Sequence, residues 1–214
     1  MIVFDDVPVK GDFTQLFGVV SITGSIHAGL DIACYRAPVY CRAAGRVMNE
    51  SEWINSTTTW HGNTVKSYGN AVALDHGEGI YSLYAHLESI SVQPDRIVRS
   101  GDILGISGNT GVADGYHLHW QVSRTTQFPS GTAQNIDPLS LIKKGGLSVE
   151  DRDRLERLEK LLAKNGIDVW DDSTNDWKRL TGEEAIEAAD AKGWSAFLGI
   201  KNTQQALKEH AENG

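Results

Sequence analysis

Cysteine is almost missing from this chain: Cys34 and Cys41 are the only two in 214 residues. Two thiols exclude a disulfide scaffold, and no C-x-x-C pair is present to seat a structural zinc. They are expected as buried thiols on neighbouring strands, with a single bridge as the alternative. No apolar run approaches the roughly 20 residues that a bilayer-spanning helix requires, so no membrane partner is expected. Basic residues are outnumbered, 20 against 28 acidic, and a net charge of -8 offers no footprint for a nucleic-acid backbone. The start, Met1 to Pro8, lacks the basic and apolar regions of a secretory signal, which predicts synthesis and folding in a cytoplasm. An H-E-x-x-H motif is also absent, which removes the common helical arrangement of a zinc protease.

What the chain does have is glycine, 22 residues of it, punctuating short apolar runs as far as about Leu141. Asn70 to Asp75 and Gly79 to Ala85 read as strands, joined by a turn over Asp75 to Gly79. Arg46 to Met48 and Ile103 to Ile106 add further strands, so residues 1–144 are expected to form a mainly β domain with an antiparallel sheet. The stretch from Glu50 to Tyr68 carries Trp53, Trp60 and His61 without strand periodicity and reads as a long loop, either a groove wall or a packed flap. Past Lys143-Lys144-Gly145-Gly146 the character changes, and residues 145–214 are expected to form a small helical domain. A capping box at Ser148 and Asp151 opens a helix that Asn165-Gly166 closes. Its Leu155, Leu158 and Leu162 form one narrow stripe, suited to docking or to pairing copies of the chain into a homo-oligomer. A second helix from Thr181 to Gly193 and a third from Asn202 or Thr203 would share a small core with Trp170, Trp177, Trp194 and Phe197.

Histidine carries the chemistry. On a strand, His117, His119 and Gln121 point one way while Leu118, Trp120 and Val122 point the other. Upstream, His27 and Asp31 share a face if Gly29 lets the chain run extended. Ligands of the His/His/Asp kind, with water in the fourth position, suit a catalytic zinc ion. The spacing alone does not decide which of His117 and His119 binds it. His86 ends a strand beside apolar neighbours, where a structural role competes with a catalytic one. His61, His76 and His210 read as loop, turn and surface residues.

Phe17-Gly18, His27-Ala-Gly-Leu-Asp31, Ala37 to Gly45, Tyr84-Ala-His-Leu87, Gly101 to Gly111 and His117-Leu-His119 together resemble, in content and order, the lysostaphin-type zinc endopeptidases. The likeness covers roughly residues 12 to 140 and stops short of the tail. It implies an antiparallel β fold with a groove, and cleavage of peptide stems or cross-bridges in bacterial peptidoglycan. It also implies that His27, Asp31 and His119 hold one Zn2+ ion, and that His117 and His86 move protons and stabilise the transition state. One departure concerns the tyrosine or histidine that many members carry shortly before the first ligand. Here Val19 to Ile26 offers only hydroxyls. The setting this suggests is a phage endolysin that reaches the host wall through a holin, or a tail-associated lysin.

Two other classes compete. A catalytically inactive wall-binding or enzyme-activating relative would usually lack a ligand, and a phosphocarrier with paired histidines would have no use for Asp31. Bound zinc separates the phosphocarrier from the hydrolase.

Overall fold

The computed structural model describes residues 2–19 and 26–143, together with the backbone of 167–171, 176–180 and 198–199. Twelve strands occupy the first part: β1 (Asp12–Gln15), β2 (Leu30–Ala33), β3 (Pro38–Tyr40), β4 (Gly45–Val47), β5 (Thr57–Trp60), β6 (Asn63–Lys66), β7 (Asn70–Asp75), β8 (Tyr81–Ile90), β9 (Ile97–Val98), β10 (Ile103–Ser107), β11 (His117–Ser123) and β12 (Asn135–Ile136). Ten of them form one sheet whose main path runs β1-β2-β11-β8-β7-β4-β9, while β10 joins β3 to β8 and β12 flanks β11. Every strand pair in it is antiparallel. The expected mainly β antiparallel fold is therefore what these residues adopt.

The β7–β8 hairpin shows how the sequence builds it. Gly77 and Gly79 take positive φ in the turn, the Gly77 amide bonds the Asp75 carboxylate at 2.8 Å, and the His76 amide donates to the Ile80 carbonyl. The alternation beyond the turn then sorts side chains by face. Tyr84, Trp120, Leu118, Leu30 and Ile32 join the larger core, and Leu83, Ala85, Ala71, Ala73, Met48, Trp53 and Phe128 form a smaller one. Burying a ring the size of Trp120, which is fully enclosed, contributes about 2–3 kcal/mol. The second cluster lies on the face of β8 that Leu83 and Ala85 share with Gln121 and His119.

The Glu50–Tyr68 stretch is not a plain loop. It holds a 3-10 turn at Glu50–Glu52 and the separate β5–β6 hairpin. Its strands are threonine-rich and mostly exposed, so they show no apolar alternation to read. Trp53 is buried edge-on to Phe128 at 6.3 Å, as a packed flap would place it. Cys34 and Cys41 are buried free thiols that donate to the Ile32 and Ala43 carbonyls. They follow β2 and β3, which do not pair with each other, so the expected neighbouring-strand placement does not hold.

The three tail helices, their leucine stripe and the proposed oligomer contact lie outside the described residues. What is described there is strand: β13 (Ile167–Asp171), β14 (Asp176–Leu180) and β15 (Leu198–Gly199), in the order β14-β13-β15. Trp170 and Trp177, expected in the small core of the tail, are register partners across β13 and β14. The Ile167-Asp-Val alternation has the period of a strand.

Where the main sheet ends, Asp137 caps the 3-10 turn Pro138–Leu141 by accepting the Leu139 amide at 3.0 Å. Burial pushes its carboxyl up to about 6, against the pull of that hydrogen bond. The folded state thus holds the proton more tightly than the unfolded chain. The benefit is complete below the unfolded value near 3.8 and is lost as pH rises through about 6. Asp137→Asn keeps the acceptor and removes the charge. It is expected to stabilise the fold at pH 7.5 by up to about 3 kcal/mol and to have little effect at pH 4, as read by urea unfolding at both.

Candidate metal centre

Strand register brings the separated motifs together. In the centre of the sheet β11 lies between β2 and β8, with His119 opposite Asp31 on one side and Ala85 on the other. Paired residues share a face, so Asp31 and His119 meet. His27 precedes β2, and its backbone is tied to Val19 and Gly18. Gly29 is what lets that approach close: a Cβ there would stand 2.5 Å from the Trp120 carbonyl oxygen and 3.0 Å from Cε1 of His119.

Three donor atoms result. Asp31 Oδ1 lies 2.8 Å from His119 Nδ1 and 3.1 Å from His27 Nε2, and the two nitrogens are 3.1 Å apart. Among the described residues this is the group whose ligand atoms gather closely enough to hold a metal ion. The fit is chemically sound: two imidazoles and a carboxylate match the zinc donor set. Bond lengths near 2.1 Å put tetrahedral edges at about 3.4 Å, a few tenths beyond the observed separations. The far nitrogen of His27, Nδ1, faces the Leu16 carbonyl at 3.0 Å, which favours its proton there and a bare Nε2 lone pair inside.

Electrostatics agree. Burial opposes charge on Asp31, but the neighbouring His27 and His119 imidazoles hold its carboxyl well below the usual range. Burial likewise opposes charge on His27, and Asp31 overcomes it, raising that imidazole above its ordinary value.

His117 and His86 flank this triangle. His117 Nε2 stands 3.9 Å from Asp31 Oδ2, and its Nδ1 faces the Gly115 carbonyl at 3.0 Å. The ring of His86 lies 4.7 Å from that of His117 and 6.0 Å from that of His119, centroid to centroid. Simple alternation would have sent His86 to the opposite face from Ala85. Instead β8 carries a bulge there: Tyr84 pairs with Val72 and Leu87 with Asn70, leaving one extra residue on β8. His86 takes φ of +61°, and Ala85 and His86 both leave the face shared by Tyr84 and Leu87. Its Nδ1 lies 2.8 Å from the Thr110 carbonyl. Burial, followed by the nearby His117 and His119, pushes its conjugate acid down to about 3, so the ring is neutral at physiological pH.

All five residues singled out in the sequence are thus brought together. His61 is not among them; it sits exposed on the β5–β6 hairpin, 3.6 Å from Asp114. His76 is bonded between the Ala44 carbonyl and the Ser82 hydroxyl, and His210 lies outside the described residues. Tyr68 is a residue the sequence reading overlooked. Its ring stacks on His119 at 5.9 Å and 28°, while its hydroxyl donates to the Phe128 carbonyl at 2.8 Å, with Gln121 Oε1 also near at 3.1 Å. Its proton is committed to those acceptors, so it does not supply the missing oxyanion donor. Residues 20–25, most of the stretch just before His27, lie outside the described residues.

Comparison with known proteins identifies a family. Residues 25–138 match Peptidase family M23. Cell division protein DipM of Caulobacter vibrioides is 31% identical over 138 residues, 64% of this chain and 20% of that protein. Lysostaphin of Staphylococcus staphylolyticus is 32% identical over 129 residues, 59% of this chain and 24% of its own length. The chain therefore spans about a fifth to a quarter of these relatives. The structure of lysostaphin from Staphylococcus simulans superposes with a TM-score of 0.51 at 23% identity, covering 68% of this chain and 55% of that one, a likeness of fold.

Proposed function

Because the chain belongs to peptidase family M23, we propose that it is a zinc-dependent endopeptidase that cuts peptide stems or cross-bridges of bacterial peptidoglycan. The observation that carries this reading is the triangle of His27 Nε2, Asp31 Oδ1 and His119 Nδ1, flanked by two further imidazoles. In it, His27, Asp31 and His119 hold the ion. When bound, zinc supplies Lewis acidity toward the scissile carbonyl and acidifies water, to a pKa around 7 in favourable sites.

The chain's own residues do the rest. His117 donates its Nδ1 proton to the Gly115 carbonyl, which leaves Nε2 as a lone pair facing the site. It takes the proton of the attacking water there and returns it to the leaving amine. His86 is held by the Thr110 carbonyl in the same tautomer, because a bare Nδ1 against that oxygen would set two lone pairs 2.8 Å apart. Its Nε2 is therefore an acceptor too. With a conjugate acid pushed down to about 3, His86 orients a donor rather than carrying a proton or donating to an oxyanion.

Purified protein should bind one equivalent of zinc and release new amine termini from sacculi, with activity lost to a chelator and restored by zinc. Mass spectrometry of the fragments would name the bond. Zinc binding with sacculus attachment but no cleavage would overturn the reading in favour of an inactive wall-binding module. The biological setting we carry forward is phage lysis, read by whether cytoplasmic expression lyses cells only when a holin is co-expressed.

A further inference from the structure

Two histidine nitrogens could face the ion at His119, and a chain of amides beside the site decides between them. It begins at carbonyls that can only accept. Asn135 donates its amide hydrogens to the Pro129 carbonyl at 2.7 Å and to the Gly131 carbonyl, which turns its own Oδ1 toward Gln121. Gln121 then spends its Nε2 hydrogens on Asn135 Oδ1 at 2.9 Å and on the Pro129 carbonyl at 3.1 Å. With both donors used, its Oε1 must face the other way, toward His119 Nε2 at 3.3 Å. Flipping Gln121 would set its oxygen against Asn135 Oδ1 and the Pro129 carbonyl, and flipping Asn135 would set its oxygen against the Pro129 and Gly131 carbonyls. Gln121 is fully buried and Asn135 nearly so, so water cannot repair a wrong orientation.

An acceptor at Nε2 demands a proton there, and a proton on Nε2 leaves Nδ1 bare toward Asp31 and His27. Asp31 alone would favour the opposite tautomer, since its Oδ1 is an acceptor 2.8 Å from Nδ1. We propose that Gln121, oriented by Asn135, is a positioning residue that keeps the proton on His119 Nε2 and so makes Nδ1 the atom offered to the metal. The inference rests on the zinc reading above.

The test compares Gln121→Met, which keeps the volume and removes the acceptor, with Gln121→Glu, which keeps an acceptor toward His119 Nε2 while giving up the two Nε2 donors. Zinc affinity, measured by chelator competition, is expected to fall about 10- to 100-fold in Gln121→Met and to stay within a few-fold of the parent in Gln121→Glu. Nitrogen-15 NMR of His119 supplies a second readout. The parent should show an exchange-protected Hε2 with or without zinc, and Gln121→Met should lose that protection. Should Gln121→Met fail to fold, Asn135→Ala takes its place: it frees the Gln121 amide to turn, and affinity and protection should both fall. Unchanged zinc affinity in Gln121→Met, an equal fall in Gln121→Glu, or an unprotonated Nε2 in the parent overturns the proposal. Absence of zinc binding in the parent sinks the zinc reading instead, and the Hε2 measurement on metal-free protein then judges the tautomer by itself.

Discussion

Asp31→Ala is expected to yield protein without bound zinc and without measurable turnover, whereas His117→Ala keeps its zinc and loses about 10²- to 10⁴-fold in rate. The contrast follows from where charge sits. Asp31 is the one anion of the triangle, and its Oδ1 touches both ring nitrogens, at 2.8 and 3.1 Å. Without it two neutral imidazoles would have to hold a dication in a largely buried pocket. The affinity loss should exceed the roughly 100-fold that removal of an outer hydrogen-bond partner causes. His117 stands outside that triangle, 3.9 Å from the other carboxylate oxygen, so its removal leaves the donor set whole. Asp31→Asn keeps the side-chain volume and guards against a merely misfolded protein. Metal analysis of the purified variants decides the matter; zinc kept by Asp31→Ala and lost by His117→Ala would reverse the assignment.

Much of this site was legible because a strand has a period of two. His117, His119 and Gln121 declare a common face in any extended reading, and β11 holds them there. Even the Gln121 contact with His119 was available from that alternation. Its orientation by Asn135 was not, since that depends on a chain reversal through Pro129 and Gly131. His27 and Asp31 were readable by the same alternation, with Gly29 letting the chain run extended; the close approach of Gly29 to the Trp120 carbonyl was not. Which neighbours β11 takes is invisible in sequence, because pairing with β2 and β8 joins segments about 90 and 35 residues away. The β5–β6 hairpin went unread since its mostly exposed face imposes no apolar pattern. His86 is the clearest limit. Period two places it on the wrong face, and only the bulge brings it back.

That bulge gives the other large effect. His86→Asn is expected to lower turnover by about 100-fold, the scale of lost positioning, with zinc retained and the fold intact. Asparagine tolerates the left-handed backbone that φ of +61° requires, so the bulge survives while the imidazole goes. His86→Val removes the same imidazole but opposes the same backbone. A β-branched residue there should cost on the order of 1–3 kcal/mol beyond whatever His86→Asn loses, since the strain of that conformation is no longer accommodated. The pair separates two roles that a single substitution would confuse. If His86 acts on the substrate, both variants lose turnover about equally and differ in urea midpoint. If His86 only shapes the bulge, His86→Asn should keep near-parental turnover, because the Ala85–His86 geometry and the amide contact to the Tyr68 carbonyl at 2.9 Å remain available. Full activity in His86→Asn would therefore remove this residue from the chemistry of the site.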